Sequence, residues 1–136
     1  MKRLLALALL AAPVPAASAT VEVANGNWGQ LPPLEFRGPD HLSTKVMQRL
    51  FEITSERQCK LGRRAGRQLD LNLSFAAHFE PNGTLTKVVL PRLDCPEAEG
   101  VIGGALLAMI AAGDYKPTGQ NLEGWYRGSF GFGFVG

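Results

Sequence analysis

From Leu69 to Phe79 apolar side chains occupy every odd position, while Asp70, Asn72, Ser74 and His78 hold most of the even ones. That is the period of a strand with one packed and one wet face, and it predicts a strand over 68 to 80. Pro81-Asn82-Gly83 then turns the chain: proline fixes the first turn residue, and asparagine and glycine tolerate positive φ. Thr84 to Leu90 returns as the partner strand, and Pro91 through Pro96 breaks the sheet. Ala98, Val101, Ile102, Ala105, Leu106, Met109 and Ile110 next form a wide apolar helical face that Gly113 ends. A final strand runs from about Gly124 to Val135, with Phe130, Phe132 and Phe134 on one side.

Upstream, Leu42, Val46, Met47, Leu50, Phe51 and Thr54 recur at helical spacing behind a cap at Asp40 or Ser43, and this helix is expected to end near Cys59. The pattern predicts an α+β fold, a small antiparallel sheet of about three strands packed against two helices. Residues 20–40, rich in glycine and proline, read as an extended entry segment in which Leu34 to Phe36 adds a short edge strand.

The start of the chain reads as an export signal at 1–19. Lys2 and Arg3 precede an apolar run from Leu4 to Ala12, and Ala17-Ser18-Ala19 supplies a small-residue cleavage site. The run falls short of the ~20 residues that span a bilayer, which favours a cleaved leader over an inner-membrane anchor. The expected mature protein is exported and periplasmic, with its folded domain at 41–136. Setting Lys2 and Arg3 aside leaves 12 basic against 12 acidic residues, so nucleic acid is not implied as a partner.

The two cysteines of an exported chain read most simply as one structural disulfide, Cys59 to Cys95. Closing that loop is worth roughly 4 kcal/mol in the chain-entropy account. No Cys-x-x-Cys pair, phosphate loop, dinucleotide fingerprint or paired catalytic carboxylates are present, and His41 and His78 lack a nucleophile and orienting carboxylate in view. The sequence therefore offers no catalytic residue, and no cofactor or metal is expected.

Two segments are candidates for binding. In the closing strand, Gly128, Gly131 and Gly133 remove side chains and let another backbone approach, as in strand addition to a sheet edge. The alternative is that they let the strand bend or receive a neighbouring aromatic ring such as that of Trp125. In the other segment, Arg57, Lys60, Arg63, Arg64 and Arg67 place five cations in eleven residues at a helix end and loop, suited to an anionic polymer or lipid. Cations there also complement the helix dipole and keep the loop soluble.

The order of these elements carries a resemblance. Phe79-x-Pro81-Asn82-Gly83, the return strand Leu85 to Leu90, the following helix, the aromatic-x-Pro of Tyr115 to Pro117 and the Phe-rich last strand together resemble the TonB C-terminal domain over residues 68 to 135. The resemblance implies a two-layer periplasmic sandwich without catalysis, whose last strand, Tyr126 to Phe134 here, pairs with a short segment of an outer-membrane transporter. The partner-contacting residues it implies are Tyr126, Gly128, Phe130, Gly131, Phe132 and Gly133, with a homodimer through the terminal strand as a further expectation. Asn82 stands where aspartate is more usual, and the long Pro-rich spacer of an energy transducer is missing. The expectation is thus a stand-alone domain.

Overall fold

The computed structural model describes residues 19–38, 42–55, 63–65, 68–118 and 123–135; of residues 55, 63–65, 68–69 and 132–135 only the backbone is considered. The chain is α+β. Its elements are β1 (Thr20–Val23), β2 (Leu34–Phe36), α1 (Thr44–Ser55), β3 (Arg63–Ala65), β4 (Gln68–Phe79), β5 (Leu85–Leu90), α2 (Pro96–Ala111), β6 (Tyr115–Pro117) and β7 (Gly124–Val135).

β4 is the strand on which the others assemble. The Pro-Asn-Gly turn, with Gly83 at φ 84°, folds β5 back against its C-terminal half, from Ala76↔Val89 to Phe79↔Leu85. β7 runs antiparallel along the whole of one edge, from Gln68↔Val135 to Phe79↔Gly124. Since β7 takes that entire edge, β5 and β3 must share the other, and Arg63↔Asp70 to Ala65↔Gln68 completes it. β1 then joins β5 in parallel, Val21↔Val88 and Val23↔Leu90. The sheet is therefore mixed and five-stranded rather than antiparallel and three-stranded. The two additions, β1 and β3, lie in glycine- or arginine-rich stretches where no alternation announces a strand.

The odd positions of β4 behave as the alternation requires. Leu71, Phe75, Ala77 and Phe79 are buried with Val88 and Leu90 of β5 and with Tyr126 and Phe130 of β7. The two helices supply the other layer through Leu50 and Ile53 of α1 and Ala98, Ile102, Leu106 and Ile110 of α2. The Ser43 hydroxyl accepts the Val46 N–H at 3.3 Å, so Ser43 caps α1; Asp40 lies outside the described residues. α2 opens with Pro96 at its first turn and carries Glu97 and Glu99 there, where the helix dipole favours anions. Cys95, at the N-cap, is disulfide-bonded; the chain's other cysteine, Cys59, lies outside the described residues.

The entry segment is part of the architecture. After β1 the chain crosses the face of the sheet that the helices leave bare, from the β5 side to the β7 edge. It is tied at the start by Ala24 N–H to the Leu90 carbonyl (2.9 Å) and at the end by the Arg127 N–H to the Pro32 carbonyl (2.9 Å). It then rounds the β7 edge and enters β2, which pairs with β6 in a separate two-stranded sheet, Leu34↔Pro117 to Phe36↔Tyr115. This strap explains why Ala76 and Val89, whose registers point them away from the helices, are only 1% and 8% exposed.

The helix glycines give a test of this packing. A Cβ at Gly103 would lie 2.8 Å from Val21 Cγ1, whereas one at Gly104 meets nothing within 4 Å. Gly104→Ala is expected to stabilise the domain by about 0.5–1 kcal/mol through helix propensity, and Gly103→Val to destabilise it by about 1–3 kcal/mol by forcing β1 off α2. Urea unfolding of the two variants reads both signs.

Candidate functional site

The closing strand has two faces and two edges, and each is used differently. Tyr126, Gly128 and Phe130 point into the core, where Phe130 is fully buried and Tyr126 packs edge-on against Phe79 with ring centroids 5.7 Å apart. Gly128 is opposite Phe75, and the Phe75 ring occupies the space of the missing side chain: a Cβ at Gly128 would sit 2.6 Å from Phe75 Cε1. Of the two readings of this glycine, reception of an aromatic ring describes its surroundings, but the ring is that of Phe75 rather than Trp125, which packs against His78. Phe75 in turn meets Tyr115 edge-on at 5.2 Å and 88°, and the Tyr115 hydroxyl donates to the Ser129 carbonyl at 2.7 Å. Ring, glycine and hydroxyl thus fix the middle of β7 from the helix side.

The outer edge of β7 follows from the same bonds. In an antiparallel ladder successive residues point their N–H and C=O alternately to the partner strand and away from it. Arg127 gives its N–H to Pro32 on the outer side, and Ser129 presents its carbonyl there to Tyr115, so the odd residues face outward. The strap closes this edge at Arg127, whose Nε also donates to the Leu31 carbonyl at 2.9 Å, while Thr118 Oγ1 donates to the Pro33 carbonyl. Beyond Ser129, the outward groups of Gly131, Gly133 and Val135 meet no strand among the described residues. A Cβ at Gly131 would press on the Asn72 Oδ1 atom, the mobile end of an exposed side chain, and so differs from Gly128 in having no ring beneath it. Phe132 and Gly133 stand opposite Leu71 and Asp70.

The second candidate segment is divided. Arg63 and Arg64 belong to β3 rather than to a loop, opposite Asp70 and Leu69; Arg57, Lys60 and Arg67 lie outside the described residues. β3 and the end of β7 flank the same three residues of β4 from opposite edges.

His41 is outside the described residues, and among them no nucleophile–carboxylate pair is assembled around His78. His78 Nδ1 lies 2.7 Å from Thr86 Oγ1, whose own proton goes to the His78 carbonyl at 3.1 Å. The ring face tilts against Trp125 with centroids 5.0 Å apart. Among the described residues no three His, Cys, Asp or Glu side chains converge. An open groove of about 780 Å³ at the hairpin end, lined mainly by Phe79, Leu85, Leu107, Ile110 and Pro117, is apolar and remote from the free stretch of β7. No helix among the described residues is long and apolar enough to cross a membrane.

Periodicity located β7 and its glycines but gave no hint of the residues that close its edge. Pro32-Pro33 reads as a breaker rather than as the end of a strap, and a tyrosine hydroxyl that reaches a carbonyl 14 residues on has no local signature. Compared with family models, curated proteins and solved structures, the chain matches none.

Tyr115 offers a pH handle on this site. At 3% exposure, burial first and the Asp114 carboxylate second push its phenol from 10.0 up to about 12. The folded state holds the proton more tightly than the unfolded chain, so its contribution to stability is intact below pH 10 and is lost as pH rises towards 12. Tyr115→Phe is expected to cost about 1 kcal/mol at neutral pH through the lost bond to Ser129 and to flatten the alkaline fall in stability. Denaturation midpoints from pH 8 to 12 in the two proteins measure both.

Proposed function

We propose that this chain is a non-catalytic, periplasmic interaction domain of the TonB C-terminal type, which captures an extended segment of an envelope or outer-membrane protein by strand addition to β7. The observation that carries the reading is the open outer edge after Ser129. Gly131, Gly133 and Val135 present backbone groups that meet no strand among the described residues, with glycine at the two central positions, on a strand whose other edge is locked to β4 along its full length. Strand addition draws its affinity from main-chain bonds and needs an edge held straight by its inner neighbour. The order of helix, hairpin, helix and last strand, with β4 between β5 and β7, supports the resemblance noted in the sequence.

The strap limits how much of β7 a partner can use. Pro32 occupies the rung at Arg127 and Tyr115 the carbonyl at Ser129, which leaves residues 129–135 as the docking stretch. Tyr126, Gly128 and Phe130 then serve by shaping the strand from within, and the backbone of Gly131 and Gly133 does the binding. A homodimer formed through the same edge would compete with the partner.

Proline at 133 separates binding from folding. The Gly133 N–H points outward, so Gly133→Pro removes a rung offered to the partner and none shared with β4, whereas Gly133→Ala keeps it. In titrations with peptides from the periplasm-facing segments of outer-membrane transporters, Gly133→Pro is expected to weaken capture roughly tenfold with little change in urea midpoint, and Gly133→Ala to retain it. Equal losses of capture and stability contradict the reading. Capture that vanishes with moderate salt and survives Gly133→Pro would move the function to the basic segment and an anionic partner.

A further inference from the structure

The strap does more than cover the sheet: with Arg127 it frames a pocket of about 370 Å³ on the back face, lined by Gly26, Asn27, Trp28, Ser74, Pro91 and Arg127. We propose that this pocket is a carboxylate-binding site. The inference is independent of strand capture, because it concerns side chains on the back face of the sheet rather than the backbone edge of β7 beyond Ser129.

Each free side-chain polar group on its walls can donate a hydrogen bond. Arg127 is held by its backbone N–H and its Nε on the carbonyls of Pro32 and Leu31, both at 2.9 Å, so its guanidinium is anchored without using either Nη. No carboxylate among the described residues pairs with it. Trp28 folds over Gly26, where a Cβ would stand 2.8 Å from the indole Nε1, and that N–H has no acceptor among the described residues. Asn27 spends Oδ1 on the Gly29 N–H at 3.1 Å, which leaves its NH2 group as a donor. The Ser74 hydroxyl completes the set. A guanidinium with both Nη free, an indole N–H, an amide NH2 and a hydroxyl, with no acid among the lining residues, define a pocket that accepts an oxyanion.

Charge and shape narrow the class. One cation balances a singly charged group, and Arg presents a planar fork that matches a carboxylate in two parallel bonds. Trp28, Pro91 and the glycines supply an apolar wall for a short substituent, and the volume lies near the lower end for ligand sites, enough for a small acid or one terminal residue of a peptide. Across the face, the acid that the strand register places level with Arg127 is Glu22. It stands three strands from Arg127, roughly 14 Å away at ordinary strand spacing, and is engaged with Lys87 at 2.9 Å. No acidic side chain lines the pocket itself.

The chain's two tryptophans supply the readout, as two indole N–H signals in a ¹⁵N–¹H spectrum that Trp125→Phe assigns. The protein is titrated at constant ionic strength with acetate, with N-acetyl-glycyl-alanine bearing a free C-terminus, and with the same peptide as its C-terminal amide. The expected result is a saturable shift of the Trp28 signal with the acids and none with the amide, while the Trp125 signal stays in place. Equal response to acetate and peptide acid assigns the site to small free carboxylates, and a response to the peptide acid alone assigns it to chain termini. Arg127→Gln is expected to abolish the shift. Because that change also releases the strap from Nε, Ser74→Ala, which leaves the strap untouched, is expected to weaken binding severalfold. A shift with the amide equal to that with the acid, or no shift with either acid, overturns the proposal.

Discussion

The phenyl ring of Phe75 lies where a side chain at Gly128 would be, and the rest of the fold is arranged around that substitution of ring for Cβ. It brings β7 close against β4 at mid-strand, in a core where added atoms are costly because interiors are close-packed. Tyr115 packs on the edge of the same ring and fastens its hydroxyl to Ser129, so the short β6, the central strand and the last strand are held by one contact set. The phenol is buried to make that bond, and its raised pKa is the electrostatic trace of the burial. A strand secured so firmly from the inside can leave part of its outer edge unpaired and remain straight.

An open strand edge is a hazard that proteins usually shorten or cover. Here the cover is partial and comes from the other end of the chain. The segment from Ala24 to Pro33 leaves β1, crosses the back of the sheet and closes the β7 edge at Arg127; Tyr115 takes the Ser129 carbonyl, and beyond it no strand among the described residues covers the edge. The same strap seals Ala76 and Val89 from water and leaves a donor-lined pocket beside Trp28. One irregular segment therefore sets the length of the strand that a partner can reach and builds the back-face pocket.

Much of this was legible from local pattern. Strict alternation located β4, the Pro-Asn-Gly turn fixed the hairpin, and the second helix and the last strand fell where apolar spacing and glycine stops put them. Apolar spacing also located the first helix, whose expected end near Cys59 lies outside the described residues. The invisible parts are those whose structure comes from distant contacts. β1 is a parallel edge strand of four residues that packs against α2 through Val21 and Gly103, and no alternation that short distinguishes it from an extended linker. β3 sits in a run of arginines and forms because β4 offers it an edge. Ile53, fully buried on α1, falls outside the simplest apolar stripe, and Glu99 is buried at the start of α2 with Oε2 unpaired. The glycines of β7 were visible as a group, but only the register with Phe75 separates Gly128, which serves the core, from Gly131 and Gly133, which lie along the free edge.

The central claim is that β7 is locked on one edge and open on the other beyond Ser129. Amide hydrogen exchange, residue by residue, tests it most directly. The account predicts slow exchange at Phe130 and Phe132, whose N–H groups face β4, and fast exchange at Gly131 and Gly133 in the free protein, with the two glycines becoming protected when a partner strand is added. Uniform protection, or uniform exposure, along residues 130–133 of the free protein would contradict it.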